Sequence, residues 1–293
     1  MTTPPDLICI GAAHWDVIAR AHQSPTCGDD VPGQVIRRPG GVALNVALAL
    51  AELGERPVLL AYTGRDEPGD TLLRLAAKRG VDIGSVARGS APTDAYVTIE
   101  APSGAVVAAV ADCRALETAG CSILGPVGAS EVDGDVVIDT NLAPATLKAL
   151  VGHPSLTGAR LAVLPASNGK PLPLDLFAGR PDVTVYLTRL ETERALGRPC
   201  PDTIAAATAL LEHGLARALV TDGAEAVALA DAGGMVTATP PAVAVKGTTG
   251  AGDVLAAHHI GADRRGLDPK GALDAALDAA AAHISSGGSE YDR

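Results

Sequence analysis

Apolar and polar positions along the chain alternate between a short strand period and a longer helical one. Residues 7–11 (LICIG) form an apolar run ending in glycine, which predicts a buried first strand. Residues 41–53 (GVALNVALALAEL) follow Pro39-Gly40 and read as a helix that stops at Gly54. Residues 57–62 (PVLLAY) predict the next strand, and 71–79 (TLLRLAAKR) an amphipathic helix closed by Gly80. This succession is the grammar of βαβ units on a parallel sheet. Further on, the pattern predicts strands at 136–139, 161–164, 184–187 and 218–221. It predicts helices over 144–151, from about Glu191, over 202–213, after the 248–253 loop, and over 273–284.

Some stretches depart from that grammar. Residues 14–38 are rich in turn formers, 96–110 (YVTIEAPSGAVVAAV) read as a hairpin around Pro-Ser-Gly, and 226–230 with 235–239 read as a second hairpin. Segments of this kind imply a small antiparallel sheet attached to the main one, or a pair of edge strands. With no internal repeat and no long linker, the chain reads as one domain, 1–293, carrying lid segments at about 14–38 and 96–110.

Composition narrows the class. Lys plus Arg is 23 and Asp plus Glu is 34, a formal net charge of −11, so nucleic acid is not expected as a partner. No charge-free stretch is long enough for a membrane span, and MTTPPDLICI lacks the basic and apolar regions of a signal peptide. Cys9, Cys27, Cys113, Cys121 and Cys200 are scattered, which fits reduced thiols in a cytoplasmic protein. With one Trp, one Phe and four Tyr, stacking of a ligand on several rings is not expected.

The sharpest chemical signal is GTTGAGD, residues 247–253, before a helix that begins near Asp253. Small residues let backbone approach a ligand, and a helix N-terminus offers free N–H groups to an anion. Asp253 there is either an N-cap or a base that takes the proton of an attacking hydroxyl. A P-loop and a GxGxxG after the first strand are both absent. A second constellation, Arg38 to Asn45 (RPGGVALN), sets Gly40 and Gly41 before a helix with Asn45 one turn in. Either it initiates the helix alone or it holds a polyhydroxyl ligand. Asp16, just past the first strand, is placed to accept sugar hydroxyls or is a solvated loop residue. His14 and Trp15 beside it read as packing or as ligand contacts, with Trp15 a candidate probe of substrate entry. His258 and His259, adjacent on one helix, read as packing or surface residues and not as metal ligands.

Taken together, Gly11-x4-Asp16, PGGVALN and GTTGAGD resemble the ribokinase-like (PfkB) carbohydrate kinase family, in family order. Residues 63–69, with Thr63-Gly64-Arg65-Asp66 and Gly69, resemble its G-x-D-x-x-G segment. Residues 221–226 (TDGAEA) resemble its T-x-G-x-x-G turn, with Ala226 in place of the last glycine. Residues 10–17, 139–142, 164–170 and 188–197 are most similar to the pseudouridine kinases within that family.

The resemblance implies a three-layer α/β/α fold with a mostly parallel central sheet and a small antiparallel β lid. It implies phosphoryl transfer from ATP to a primary hydroxyl, the 5′-hydroxyl, of a nucleoside or sugar, with pseudouridine favoured. Asp253 would be the base, and the amides of Gly250, Ala251 and Gly252 would face the transferred phosphate. Asp16, Gly40, Gly41, Asn45, His14, Lys170 and Asp112 would hold the substrate. Thr221, Gly223, Thr248, Thr249, Gly250 and Gly252 would hold ATP, and Glu191 would act through water on Mg²⁺. A homodimer through the lid is compatible with it.

Departures bear on substrate and ions. Thr188 stands where the family's N-x-x-E has Asn, and Gly247 where its GAGD element opens with Asp or Asn, which weakens the case for a monovalent cation. His14, Trp15 and Leu44 depart from the pseudouridine kinase pattern near the substrate pocket. Other family substrates such as ribose or adenosine, a non-catalytic nucleoside-binding homologue, and an unrelated α/β hydrolase therefore stay open.

Overall fold

The computed structural model describes residues 5–28, 30–125, 132–166 and 172–286. In chain order its strands are β1 (Leu7–Ile10), β2 (His14–Ala21), β3 (Gly33–Gly40), β4 (Val58–Leu60), β5 (Tyr62–Gly64), β6 (Ala87–Gly89), β7 (Ala95–Glu100), β8 (Val106–Asp112), β9 (Asp135–Asp139), β10 (Arg160–Leu164), β11 (Val183–Thr188), β12 (Arg217–Thr221), β13 (Val227–Asp231) and β14 (Gly234–Ala238). The helices are α1 (Val42–Glu52), α2 (Glu67–Lys78), α3 (Arg114–Ala119), α4 (Pro144–Val151), α5 (Arg189–Leu196), α6 (Thr203–Glu212), α7 (Ala251–Arg264) and α8 (Pro269–Ser286).

Eight strands form the main sheet in the order β14-β13-β12-β11-β10-β9-β1-β4. From β12 to β4 every pairing is parallel, and the β13–β14 hairpin closes the far edge antiparallel. Strands β1 and β9 are buried throughout, as expected of strands covered on both faces. Two apolar cores flank the sheet. Leu116, Leu147, Leu150, Phe177 and Leu210 belong to one, and Leu44, Leu48, Leu72, Leu255, Leu273 and Leu277 to the other. This is the expected three-layer α/β/α architecture.

A smaller sheet, ordered β3-β2-β7-β8, sits apart from the main one. Its strands fall in the segments read from sequence as the lid. The turn-rich 14–38 stretch holds two eight-residue strands, because its turn residues concentrate in the connection between them. The outer pairings are antiparallel, whereas β2 and β7 run parallel, since they enter from different crossovers.

Several boundaries differ from the sequence pattern, among them the start of α8 at Pro269 and not at 273. The 57–62 run divides: β4 joins the main sheet while β5 pairs with β6 in a separate two-stranded sheet. Helix α2 starts at Glu67, four residues before the amphipathic pattern, because the Asp66 side chain accepts from Gly69 N at 2.9 Å and caps it. Helix α7 begins at Ala251, with Gly250 at the cap in a left-handed conformation (φ 81°), so the Gly-rich loop runs into the helix two residues before Asp253.

Candidate active site

The parallel strands β1 and β9 to β12 deliver their C-terminal ends to one side of the sheet, and there a cavity of about 700 Å³ opens under the lid. Leu164, Thr188 and Thr221 at the ends of β10, β11 and β12 line it, together with Asn141 just after β9. The lid contributes His14, Asp16, Tyr96 and Ala111. Gly41 and Asn45 come from the start of α1, and Thr248, Thr249, Gly250, Gly252 and Asp253 from the loop and first turn of α7.

Asp139 ties these parts together. Fully buried at the end of β9, its Oδ2 accepts from Ala12 N at 2.8 Å and Ala43 N at 2.9 Å, while Oδ1 accepts from Asn141 N at 2.9 Å. One carboxylate thus joins the exit of β1, the first turn of α1 and the exit of β9. Burial pushes its pKa up against those three hydrogen bonds. Gly11 is required beside it, since a Cβ there would lie 2.2 Å from the Asp139 carboxyl carbon. The sequence pattern marked 139–142 only as a resemblance and assigned Asp139 no role; a carboxylate ending a buried strand was the available signal.

Asp253 occupies the third position of α7 and does not cap it. Its Oδ2 accepts from Asn45 Nδ2 at 2.8 Å. Withdrawal from water pushes its pKa up to about 7; the Asn45 bond opposes this, and the negative charges of Asp139, Asp16 and Glu191 add to it. The capping alternative for Asp253 is thereby excluded, and a carboxylate able to exchange protons near neutrality stands at the mouth of a helix. Ala251 N donates back to Thr248 O at 3.2 Å and is drawn into the turn. The amides of Gly252 and Asp253 lie in the first turn, where the helix supplies no acceptor.

Asp16 stands between a guanidinium and an imidazole. Arg38 Nε is 3.6 Å from Oδ2 and His14 Nδ1 is 3.4 Å from Oδ1. Burial raises the Asp16 pKa to about 6, with the Arg38 charge opposing. Gly40 packs against this carboxylate so closely that a Cβ would lie 2.3 Å from Oδ1. At Gly41 (φ 98°) a Cβ would lie 2.3 Å from Ala12 O, so neither glycine merely starts the helix.

Thr188 caps α5 in a reciprocal arrangement: its hydroxyl accepts from Glu191 N at 3.2 Å, and Glu191 Oε2 accepts from Thr188 N at 2.8 Å. Threonine therefore fulfils the local structural duty at this position, and Glu191 keeps a place on the cavity wall. Arg189 Nε binds Asp222 at 2.6 Å and so fastens the turn after β12 to α5, a link not evident from the sequence.

Not every sequence candidate lines the cavity. The Asp112 side chain turns away from it and pairs with Arg114 at 2.7 Å, because strand alternation aims Ala111 and not Asp112 inward. Gly223 is absent from the lining and supplies the positive φ (59°) of its turn. Lys170 lies outside the described residues. Trp15 points to the opposite face of β2 from His14 and Asp16: its Nε1 donates to Pro68 O at 2.9 Å, and Arg37 lies 4.0 Å over its ring. It does not face the cavity and is no direct probe of it. His259 is buried, with Nδ1 2.9 Å from the Tyr186 hydroxyl, the packing role read from sequence.

Among known proteins, residues 4–292 match the pfkB family carbohydrate kinase. The chain belongs to that family. It is a phosphotransferase acting on a sugar or nucleoside hydroxyl. It is 27% identical over 258 residues to a pseudouridine kinase of Escherichia coli, covering 86% of this chain and 81% of that one. It is 32% identical over 151 residues to a pseudouridine kinase of Arabidopsis thaliana, covering 48% of this chain but only 38% of the relative. Its fold superposes on an Arabidopsis thaliana ribokinase complexed with ribose and ATP with a TM-score of 0.81 at 20% identity, covering 96% and 93% of the two chains. Among the described residues no helix is long and apolar enough to cross a membrane.

Proposed function

We propose that this kinase transfers the γ-phosphate of ATP to the 5′-hydroxyl of a nucleoside, pseudouridine foremost, with Asp253 as general base. The observation that carries this reading is the convergence of Asp16, Asn45 and Asp253 from lid, α1 and α7 on one cavity. The similarity to two pseudouridine kinases, and the ribose and ATP named for the ribokinase of like fold, support a nucleoside acceptor and an ATP donor.

In this reading Asp16 and Asn45 hold the sugar, with Gly40 and Gly41 making room. The acceptor hydroxyl donates to Asp253, which takes its proton as the oxygen attacks the γ-phosphorus. The new O–P bond forms while the bond from phosphorus to the β,γ-bridging oxygen breaks and ADP departs. The free amides at the start of α7 face the charge that develops on the transferred group. Thr221, Thr248 and Thr249 line the nucleotide side. The lid keeps water from the phosphate.

Glu191, a carboxylate on the cavity wall, would hold Mg²⁺ through a bridging water. When bound, Mg²⁺ neutralises phosphate charge. The lid also presents an apolar outer face, with Val35, Val97, Ile99 and Val110 exposed, which fits a second copy of this chain.

The test is ADP release by the purified chain with ATP and a panel of pseudouridine, uridine, adenosine and ribose, with the product located by phosphorus NMR. A 5′-monophosphate of pseudouridine is the expected product. ADP release no faster than background with every acceptor overturns the reading.

A further inference from the structure

We propose that Tyr96 is the specificity-determining residue through which the lid recognises a planar base on the substrate, with His14 forming the other half of that wall. This rests on the kinase reading above and names what the lid side of the cavity selects.

The chain has only six Phe, Trp and Tyr residues, so each ring can be accounted for. Phe177 is sealed in the core, Tyr62 is buried there too, and Trp15 is turned to the other face of β2. Tyr291 lies outside the described residues. Tyr186 reaches the cavity from β11, but its hydroxyl is engaged by His259. Tyr96 is the ring that the described lid offers to the cavity.

Its position follows from register. Tyr96 is paired with Asp16 across β7 and β2, and strand alternation sends both side chains to the cavity face. His14, two residues before Asp16, shares that face. The rings of His14 and Tyr96 stand 6.5 Å apart between centroids, inclined at 50°. Two rings therefore flank the carboxylate read as the sugar anchor.

The chemistry of this wall suits a neutral heterocycle. Burial lowers the His14 pKa, which favours the neutral imidazole. His14 Nδ1 is sealed from solvent 3.4 Å from Asp16 Oδ1 and makes no hydrogen bond among the described residues. A plain pentose would leave the face of Tyr96 against water, whereas a base joined to the sugar would cover it, and aromatic faces accept any planar base.

The test is steady-state kinetics with ATP and either pseudouridine or ribose, for the wild type, Tyr96→Ala and Tyr96→Phe. Calorimetric binding of the same two ligands to the same proteins is the second measurement. Tyr96→Ala is expected to lower the ratio of kcat/KM for pseudouridine over ribose about tenfold, chiefly through KM, and Tyr96→Phe to restore it. An unchanged ratio in Tyr96→Ala, or equal losses on both ligands, overturns the role of Tyr96 and leaves the kinase reading standing. A wild type that neither phosphorylates nor binds either ligand overturns both.

Discussion

Asn45 Nδ2 donates to Asp253 Oδ2 at 2.8 Å, joining the first helix of the chain to the Gly-rich turn across 208 positions. The bond favours the charged carboxylate, while withdrawal from water and neighbouring negative charge favour the neutral acid. The two effects leave Asp253 near pH 7, where it can accept a proton and later release it.

The first prediction concerns that balance. Asp253 must be deprotonated to act as a base, so kcat/KM should rise with pH through about 7 and level off above it. Asn45→Ala removes the hydrogen bond that favours the charged form and should move the acid limb to higher pH. Asp253→Asn should lower kcat by about 10²–10⁴-fold. A pH–rate profile of the three proteins checks both, and an unmoved limb in Asn45→Ala would remove Asn45 from the tuning of Asp253.

The same group predicts a stability effect of definite sign. Its folded pKa, about 7, lies above the unfolded value of about 3.9. Between these values the folded state holds the extra proton, so its contribution is full below about pH 4 and is lost as pH rises through 7. Asp253→Asn removes that loss. Urea denaturation at pH 5 and pH 8 should show the variant gaining on the wild type at pH 8.

Asp139 yields a prediction separate from catalysis. Asp139→Ala strands two buried amides and a half-buried one and should cost roughly 2–6 kcal/mol, since each unsatisfied buried donor costs about 1–3 kcal/mol. Asp139→Asn keeps one accepting oxygen and should cost less. Urea midpoints order the three proteins.

These positions also show what the sequence could and could not reveal. The parallel strands were legible because burial on both faces makes them continuous apolar runs, as in β1 and β9. The lid strand β3 was not, because its pattern is interrupted by arginines and a proline and half of it is exposed. Asp253 and Asn45 stood out through glycine and helix-start signals close to them in the chain, and Asp16 through its place just past the first strand. Asp139 and Tyr96 did not, since their importance depends on partners on other strands and loops. Asp112 was misdirected for a related reason: one step along a strand reverses the face.

The lid's outer face bears on assembly. Val97 and Val110 are cross-strand neighbours there, 40% and 67% exposed, too apolar for a sheet face left to water. If two copies cover this face, sedimentation should give a dimer, and Val97→Lys with Val110→Lys should shift it to the monomer. A wild-type monomer at tens of micromolar would remove the lid contact from the proposal.

Metal dependence follows from the charge of the cavity. Its described lining carries Asp16, Glu191 and Asp253 and contains no Lys or Arg. A nucleotide triphosphate entering it brings several negative charges toward three carboxylates, two of them with pKa values raised to about 6 and about 7. The free amides at the start of α7 would offset part of that repulsion, and a divalent cation on the phosphates would have to offset the remainder. Removal of divalent ions with EDTA should therefore abolish turnover, and Mg²⁺ should restore it. Glu191→Gln should raise the Mg²⁺ concentration needed for half-maximal rate, with a smaller effect on KM for the nucleoside. Because the side-chain amide oxygen in Glu191→Gln would still accept from Thr188 N, α5 should stay capped and the thermal midpoint should move little. A titration of rate against Mg²⁺ for both proteins checks this, and full activity in EDTA would mean that the cavity manages the phosphate charge by other means.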